Sequence, residues 1–244
     1  MKHPLDITIL PAFGDNYIYL AEYAPGVCFV VDPGDAGPAL KELNRQGLQL
    51  THVFATHHHA DHIGGVGSLK KQCRCEVVGP DAKRIAALDT VVSDGDIIAL
   101  GDMTIQCIAT PGHTATSVCY YVTAASLAQP VLFTGDTLFI CGCGRMFECG
   151  GETMYASLQK LTALDDGTLV YPGHDYTEEN VRFALTIKLD NAALQKKLEF
   201  VQNQNRAGQL TVPSTLGEEK KMNPFLKATD WKSFTYLRKQ KDVY

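Results

Sequence analysis

At 244 residues and 45% hydrophobic content, the chain can bury a substantial core, and one domain with a small appendage is the natural expectation. A net charge of −5 gives no overall attraction for nucleic acid, and no run is long and apolar enough to span a bilayer. The eight cysteines include the CxC pairs Cys73/Cys75 and Cys141/Cys143 but lack the paired CxxC spacing of a structural zinc site, and they read as reduced thiols.

The opening Met1-Lys2-His3-Pro4-Leu5-Asp6 lacks the apolar stretch of a secretory signal, so a cytoplasmic protein is expected. From Ile7 to about Tyr171, β-prone runs alternate with helical ones. Phe29-Val30-Val31 reads as a strand ending at Asp32, before Pro33-Gly34 and a helix from Ala39 to Gln46. Val53-Phe54-Ala55 reads as the next buried strand. It delivers Thr56-His57-His58-His59-Ala60-Asp61-His62, which holds half of the chain's eight histidines, and a helix from Ile63 to Gln72 follows. A strand end facing a helix start is where α/β folds place their chemistry. Imidazole nitrogen and carboxylate oxygen suit zinc and similar divalent ions.

The same local grammar recurs further on. Ile105-Gln106-Cys107-Ile108-Ala109 leads through Thr110-Pro111-Gly112 to His113, Val131-Leu132-Phe133-Thr134-Gly135 leads to Asp136, and Leu169-Val170-Tyr171-Pro172-Gly173 leads to His174. The glycines permit a sharp turn or a close approach at each strand end. Strands lying side by side would bring these ligands to one rim of a sheet. Asp94-Gly95-Asp96 and Gly101-Asp102 predict hairpin ends, and Met154 to Leu164 predicts a helix. After His174 strand signals vanish: Glu178 to Leu189 and Ala192 to Gln204 carry apolar residues at helical spacing, and Thr211-Val212-Pro213-Ser214 reads as a loop. The expected division is a catalytic domain over 1–175 and a helical domain over 176–244. Cys28, Cys107 and Cys119 read as small core residues, while Cys149 has no assigned place.

Spacing also predicts the number of metals. His57 and His59 can converge on one ion with His113, while Asp61 and His62 face a second with His174. A carboxylate has two oxygens, so Asp136 can bridge. Two ions about 3.5–4 Å apart with a shared water form a hydrolytic centre. His58, flanked by ligands, should point the other way and be structural. Zinc is the first expectation, and iron or manganese would also suit these ligands. Asp32 is either an acceptor that fixes a ligand imidazole's tautomer or a turn-forming Asp before Pro33-Gly34.

His57-His58-His59-Ala60-Asp61-His62 matches the HxHxDH signature of the metallo-β-lactamase superfamily, with His113, Asp136 and His174 following in its order. Within that superfamily the chain resembles glyoxalase II, the hydroxyacylglutathione hydrolases, over essentially its whole length. Supporting segments are Asp15-Asn16-Tyr17, Val31-Asp32-Pro33-Gly34, Thr134-Gly135-Asp136-Thr137, Gly142-Cys143-Gly144-Arg145, Gly173-His174-Asp175-Tyr176-Thr177 and Asn223-Pro224-Phe225. The resemblance implies a four-layer αββα sandwich with a small C-terminal helical domain. It also implies hydrolysis of S-2-hydroxyacylglutathione, typically S-D-lactoylglutathione, to glutathione and D-lactate, the second step of methylglyoxal detoxification. Asp61 and Asp136 are the expected catalytic carboxylates.

Substrate positions are implied in the same way. The tail carries Lys220, Lys221, Lys227, Lys232, Arg238, Lys239 and Lys241, which composition alone would make a solvated face. The resemblance singles out Arg238 and Lys241, one helical turn apart, as the pair that holds the glycine carboxylate of glutathione. Arg145, Phe147 and Tyr176 fall at further substrate positions. Phe147 has no hydroxyl, so any hydrogen bond there must come from backbone, and Cys149-Gly150-Gly151 departs from the family's turn. The expected partner is a small glutathione thioester bound by a monomer, with no nucleic acid and no membrane. Three rival readings share part of this pattern. A mononuclear iron persulfide dioxygenase shares HxHxDH but does not need the second ligand set or the basic tail. A β-lactamase often carries Cys where Asp136 stands, and a nucleic-acid-processing module would want a basic stripe with interleaved aromatics.

Overall fold

The computed structural model describes residues 5–187 and 191–244. Of the expectations above, Met1 to Pro4 and the end of the helix expected to reach Leu189 lie outside the described residues.

Two six-stranded mixed sheets face each other. The first runs in sequence order: β1 (Asp6–Ala12), β2 (Asn16–Ala24), β3 (Val27–Val31), β4 (Gln49–Phe54), β5 (Glu76–Gly79) and β6 (Thr90–Val91). The second contains β7 (Ile97–Leu100), β8 (Met103–Ala109), β9 (Val118–Ala124), β10 (Val131–Gly135), β13 (Leu169–Pro172) and β14 (Ser214–Thr215), ordered 14-13-10-9-8-7. A separate hairpin, β11 (Leu138–Phe139) and β12 (Gly142–Cys143), follows β10. Strand periodicity builds the layers. In β2 the side chains of Tyr17, Tyr19 and Ala21 enter the inter-sheet core, while Ile18 and Leu20 turn to the opposite face and join a second cluster. The inter-sheet core is aromatic: Tyr19, Phe29, Phe54, Tyr120, Phe133 and Tyr171 meet with centroids 5.0–6.1 Å apart, mostly tilted or edge-on. The second cluster covers the first sheet with α1 (Ala36–Gln46) and α3 (Val66–Cys73) through Ala39, Leu43, Val66 and Leu69.

The expected helix from Ile63 to Gln72 is interrupted. A one-turn α2 (Ala60–Ile63) ends at Gly64-Gly65 and α3 begins anew, because these glycines press against the backbone of residues 33–36. Gly101-Asp102 joins the antiparallel pair β7 and β8, as a hairpin end should. Asp94-Gly95-Asp96 does not: it carries the chain from β6 in one sheet to β7 in the other. Turn chemistry reports reversal of the chain, not which strands it joins.

On the outer side lie α4 (Gly151–Thr162) and the C-terminal helices α5 (Thr177–Ile187), α6 (Ala192–Arg206), α7 (Leu216–Met222) and α8 (Trp231–Asp242). The start of α4 lies so near α8 that a Cβ on Gly151 would fall 1.8 Å from Thr235 Oγ1. Strand structure does not end at His174, as the sequence suggested. Ser214–Thr215, partly within the expected loop, pairs with β13 as an edge strand too short to show a period. The helical segment is also fastened to the β11–β12 hairpin by buried polar groups. Glu219, fully buried, accepts from Cys141 N at 2.7 Å, Ser214 Oγ at 2.8 Å and Asn223 Nδ2 at 3.2 Å. Asn223 Nδ2 in turn donates to Gly142 O at 2.9 Å, and Arg238 Nη1 to Cys143 O at 2.7 Å.

Burial pushes the Glu219 carboxyl above its usual range, against the donors around it. Replacing Glu219 by Ala strands those donors in the interior and should cost about 2–4 kcal/mol. Glu219→Gln, which keeps an acceptor, should cost less than Ala. Urea unfolding midpoints at constant m-value measure both. Equal midpoints for Glu219→Ala and the parent would show that the clamp contributes nothing.

Candidate metal centre

Four strand ends supply the site, from two sheets and not from the rim of one. β4 leads to His57 in the first sheet, while β8, β10 and β13 lead to His113, Asp136 and His174 in the second. The sheets are stitched together here, Tyr17 N donating to Gly173 O at 2.9 Å and Val118 N to Thr56 O at 2.9 Å. Gly173 allows a close approach to two of the donors: a Cβ there would lie 2.6 Å from Asp136 Oδ1 and 2.7 Å from the His62 ring.

The side chains form two donor sets. His59 Nδ1 lies 3.1 Å from His57 Nε2 and 3.0 Å from His113 Nε2. In the other set, His174 Nε2 lies 3.2 Å from His62 Nε2 and 3.3 Å from Asp61 Oδ2. Asp136 stands between them. Its Oδ2 is 3.3 Å from His113 Nε2, and its Oδ1 is 3.3 Å from His62 Nε2 and 3.4 Å from His174 Nε2. Asp136 Oδ1 is buried without a hydrogen-bond partner, although a buried anionic oxygen is costly to leave unpaired. Converging lone pairs plus that orphaned oxygen fit divalent cations better than any arrangement of protons.

Groups behind the cluster orient it. Asp32, 3% exposed, accepts from Thr56 N and Thr56 Oγ1 at 2.7 Å each and contacts His62 Nδ1 at 2.9 Å. Thr56 Oγ1 lies 3.0 Å from His57 Nδ1. His113 Nδ1 faces Arg145 O at 2.9 Å, His174 Nδ1 faces Asp15 Oδ1 at 3.0 Å, and Asn16 Nδ2 donates to Asp61 Oδ2 at 3.0 Å. Four imidazoles thus have their outer nitrogens engaged, which turns the inner ones toward the gap. Asp32, His57 and His62 also lie close enough to hold an ion, but Asp32 takes the outer nitrogen of His62, whose inner one faces His174. Asp32 is therefore placed as the acceptor and also has positive φ, at 49°, in the turn.

The field across the cluster is uneven. Burial would depress His62 and His174, yet Asp136 with Asp32 holds His62 well above its ordinary value, and Asp136 with Asp61 pushes His174 up to about 10. Burial lowers His57 and His113, whose charged neighbours include other imidazoles. The His174 contact, which outweighs partial burial, keeps Asp61 below the usual carboxylate range. Burial would raise Asp136, but the charge on His62 reverses the shift.

His58 turns outward. Its Nε2 lies 3.2 Å from Arg84 Nη1 and 3.6 Å from Glu148 Oε1. Arg84 also contacts Asp81, Glu148 and Thr116, tying four loops of the rim together. Beside the donor sets, a cavity of about 290 Å³ is lined by His113, Asp136, Arg145, Phe147, Tyr176, Arg238 and Lys241, so the expected substrate residues meet there, and by Glu179 and Asn180, which were not expected. The Tyr176 ring stacks on His174, with centroids 4.9 Å apart at 6°. Phe147 is 62% exposed and its ring leans on His59 and His113. Its backbone N–H is already donated to His113 O at 3.3 Å, so a ligand there finds the Phe147 amide engaged and only a carbonyl to use. The sequence reading missed Asp15, Asn16 and Thr56 as orienting groups. Asp15-Asn16-Tyr17 was visible as a segment, but nothing local reveals that it ends beside His174.

The comparisons with known proteins agree along the chain. A family model described as the metallo-beta-lactamase superfamily matches residues 12–174, and one described as the hydroxyacylglutathione hydrolase C-terminus matches residues 175–244. A hydroxyacylglutathione hydrolase from Rhizobium etli is 42% identical over 230 residues, covering 93% of this chain and 88% of that protein. One from Photobacterium profundum is 41% identical over 257 residues, covering 98% and 100%. Among solved structures, ETHE1 from Myxococcus xanthus superposes with a TM-score of 0.72 at 28% identity, covering 96% of this chain and 90% of that one.

The geometry separates Asp136 from His58. Asp136→Ala should lose metal from both donor sets and at least about 100-fold in activity, as expected when the group set between them is removed. His58→Ala should keep its metal and lose less than about threefold. Metal content by mass spectrometry on purified variants decides it, and equal loss in the two would overturn the ligand assignment.

Proposed function

The chain belongs to the hydroxyacylglutathione hydrolases, the glyoxalase II family of the metallo-β-lactamase superfamily, and on that premise we propose which of its residues carry the reaction. It is a metal-dependent thioester hydrolase: it cleaves S-2-hydroxyacylglutathione to glutathione and a 2-hydroxy acid, S-D-lactoylglutathione giving D-lactate in the second step of methylglyoxal detoxification. The observation that carries the residue assignments is one juxtaposition. A carboxylate set between two imidazole groups opens directly onto a cavity walled by Arg145, Tyr176, Arg238 and Lys241.

His57, His59 and His113 would hold one divalent ion, Asp61, His62 and His174 a second, and Asp136 both. Zinc is the first choice, with iron or manganese also suited to the donors. Bound there, the ions supply Lewis acidity that brings the pKa of water toward neutrality and polarises a thioester carbonyl. The chain's own groups do the positioning. Asp136 sets the spacing of the donor sets. Asp61, oriented by Asn16, offers a half-exposed carboxylate that can accept a hydrogen bond from water at the centre and so orient it. Arg145, Arg238, Lys241 and the Tyr176 hydroxyl grip the peptide, which places its thioester over His113 and Asp136. Phe147 screens the imidazoles from solvent on the open side. A glutathione thiolate leaves readily, so no strong general acid is required.

Residues 1–175 would then form the catalytic domain and 176–244 the glutathione-holding helical domain, working as a monomer. Among the described residues no helix is long and apolar enough to cross a membrane. All eight cysteines are free, which supports a reducing compartment such as the cytoplasm.

Lys241→Ala, and its combination with Arg238→Ala, should raise KM for S-D-lactoylglutathione by about tenfold or more with metal content intact, because these groups bind ground state and transition state alike. An unaltered KM in the double variant would place the tail outside the substrate site. The assigned contacts all fall on the shared peptide, so other 2-hydroxyacylglutathiones should also be hydrolysed. A lactoyl thioester lacking the peptide should fall by at least about 100-fold in kcat/KM, since remote binding energy is lost. Equal kcat/KM for the truncated thioester would remove the glutathione pocket while leaving the hydrolase intact.

A further inference from the structure

Lys241 does not stand free at the wall of the cavity. Its side chain is 5% exposed, its Nζ pairs with Glu179 Oε1, and the rings of Phe183 and Tyr244 lie 5.7 and 5.1 Å from it. Arg238 is occupied too: Nε and Nη2 reach Asp242 Oδ1 at 3.1 Å and Nη1 reaches Cys143 O. Among the described residues Arg145 makes no ion pair, so the three cations differ in how they can meet a ligand.

The two partner carboxylates are not equivalent. Asp242 sits one turn from Arg238 on the same helix, an i,i+4 pair that belongs to α8 itself. Glu179 comes from α5, in a different part of the chain, and lines the cavity beside Tyr176 and Asn180. Its side chain is 61% exposed while the ammonium it holds is buried. An exposed carboxylate thus occupies the place where a ligand carboxylate would seek Lys241.

We propose that Glu179 is a specificity-setting residue: its carboxylate occupies Lys241 in the free enzyme, and the terminal carboxylate of the substrate binds there by displacing it. This rests on the reading of the cavity as the glutathione site. A buried ammonium is costly to leave unpaired, so exchange of one carboxylate for another keeps Lys241 satisfied throughout. Glu179 can move into water at small cost, because its own carboxylate is already 61% exposed and gives up little burial on leaving. A ligand with a neutral end offers Lys241 at most an uncharged acceptor, too weak to replace a carboxylate, and leaves Glu179 in place. The competition therefore selects for an anionic terminus while holding affinity for it down. Run in reverse, the same exchange expels the carboxylate of the glutathione product.

The test compares S-D-lactoylglutathione with its glycine carboxamide on the metal-loaded parent, Glu179→Gln and Lys241→Ala. For Glu179→Gln, KM for the carboxylate substrate should fall about three- to fivefold, with kcat within about twofold and KM for the carboxamide unchanged. The inhibition constant of glutathione should fall in parallel. An unchanged or raised KM for the carboxylate substrate overturns the exchange, and so does an equal fall for both substrates. Lys241→Ala separates the two levels. If it raises KM for the carboxylate while Glu179→Gln lowers nothing, the exchange alone is wrong. If it leaves KM for both substrates unchanged, the glutathione reading of the cavity fails with it.

Discussion

A buried carboxylate with one oxygen left without a donor is an unfavourable thing to build, and Asp136 is such a group. Around it, imidazole nitrogens from three segments point at one another across 3.0–3.2 Å. Such a cluster is tolerable only with positive charge inside it. Protons can supply some, as the raised His62 and His174 show, but a ring nitrogen that carries a proton cannot also give its lone pair. Divalent cations satisfy the inner nitrogens and the orphaned oxygen together. Much of the surrounding structure can be understood as holding that arrangement open and pointing it in one direction.

The two-sheet sandwich does the holding. Each sheet contributes strand ends, and the aromatic layer between them fixes the distance across which His57 must meet His113 and Asp136. Asp32 serves both purposes. It sits at the end of β3, caps the turn that leads into His57 through Thr56, and fixes the outer nitrogen of His62. The helical segment then supplies the second half of the site. Glu219, Asn223 and Arg238 all bond to the β11–β12 hairpin, whose continuation presents Arg145 beside the metal-ligand set. The cavity wall and the donor cluster are thereby joined through one short hairpin. The cost is that Arg238 has a structural task as well as a proposed binding one, which makes Lys241 and Glu179 the cleaner reporters of recognition.

Much of this was legible from the chain. The seven residues from Thr56 to His62 announced a metal site, and each later ligand followed a β-prone run and a glycine, so the donor groups could be listed before any strand was paired. The split between the two sets was readable for the same reason: His57 and His59 share a face after a strand, and Asp61 and His62 lie a turn further on. The outward position of His58 followed from its neighbours. Other features were hidden because they depend on pairs remote in sequence. Asp15 meets His174 across 159 residues, and Glu179 meets Lys241 across 62. Ser214–Thr215 is too short to show a strand period, and Asp94-Gly95-Asp96 has hairpin chemistry although it links two sheets.

The sequence by itself determined the inventory: the donor types, their order, the alternation of strands and helices, and a basic helical tail. These are local properties, carried by composition and by periods of 2.0 and 3.6 residues. Tertiary structure decided the assignments that need distance. It put the ligands on two sheets and not on one rim, and set Asp136 between the two groups with one oxygen toward each. It turned the backbone of Phe147 toward His113, and gave Lys241 a carboxylate partner on another helix. Periodicity fixes which face a side chain takes; only packing fixes what it meets there.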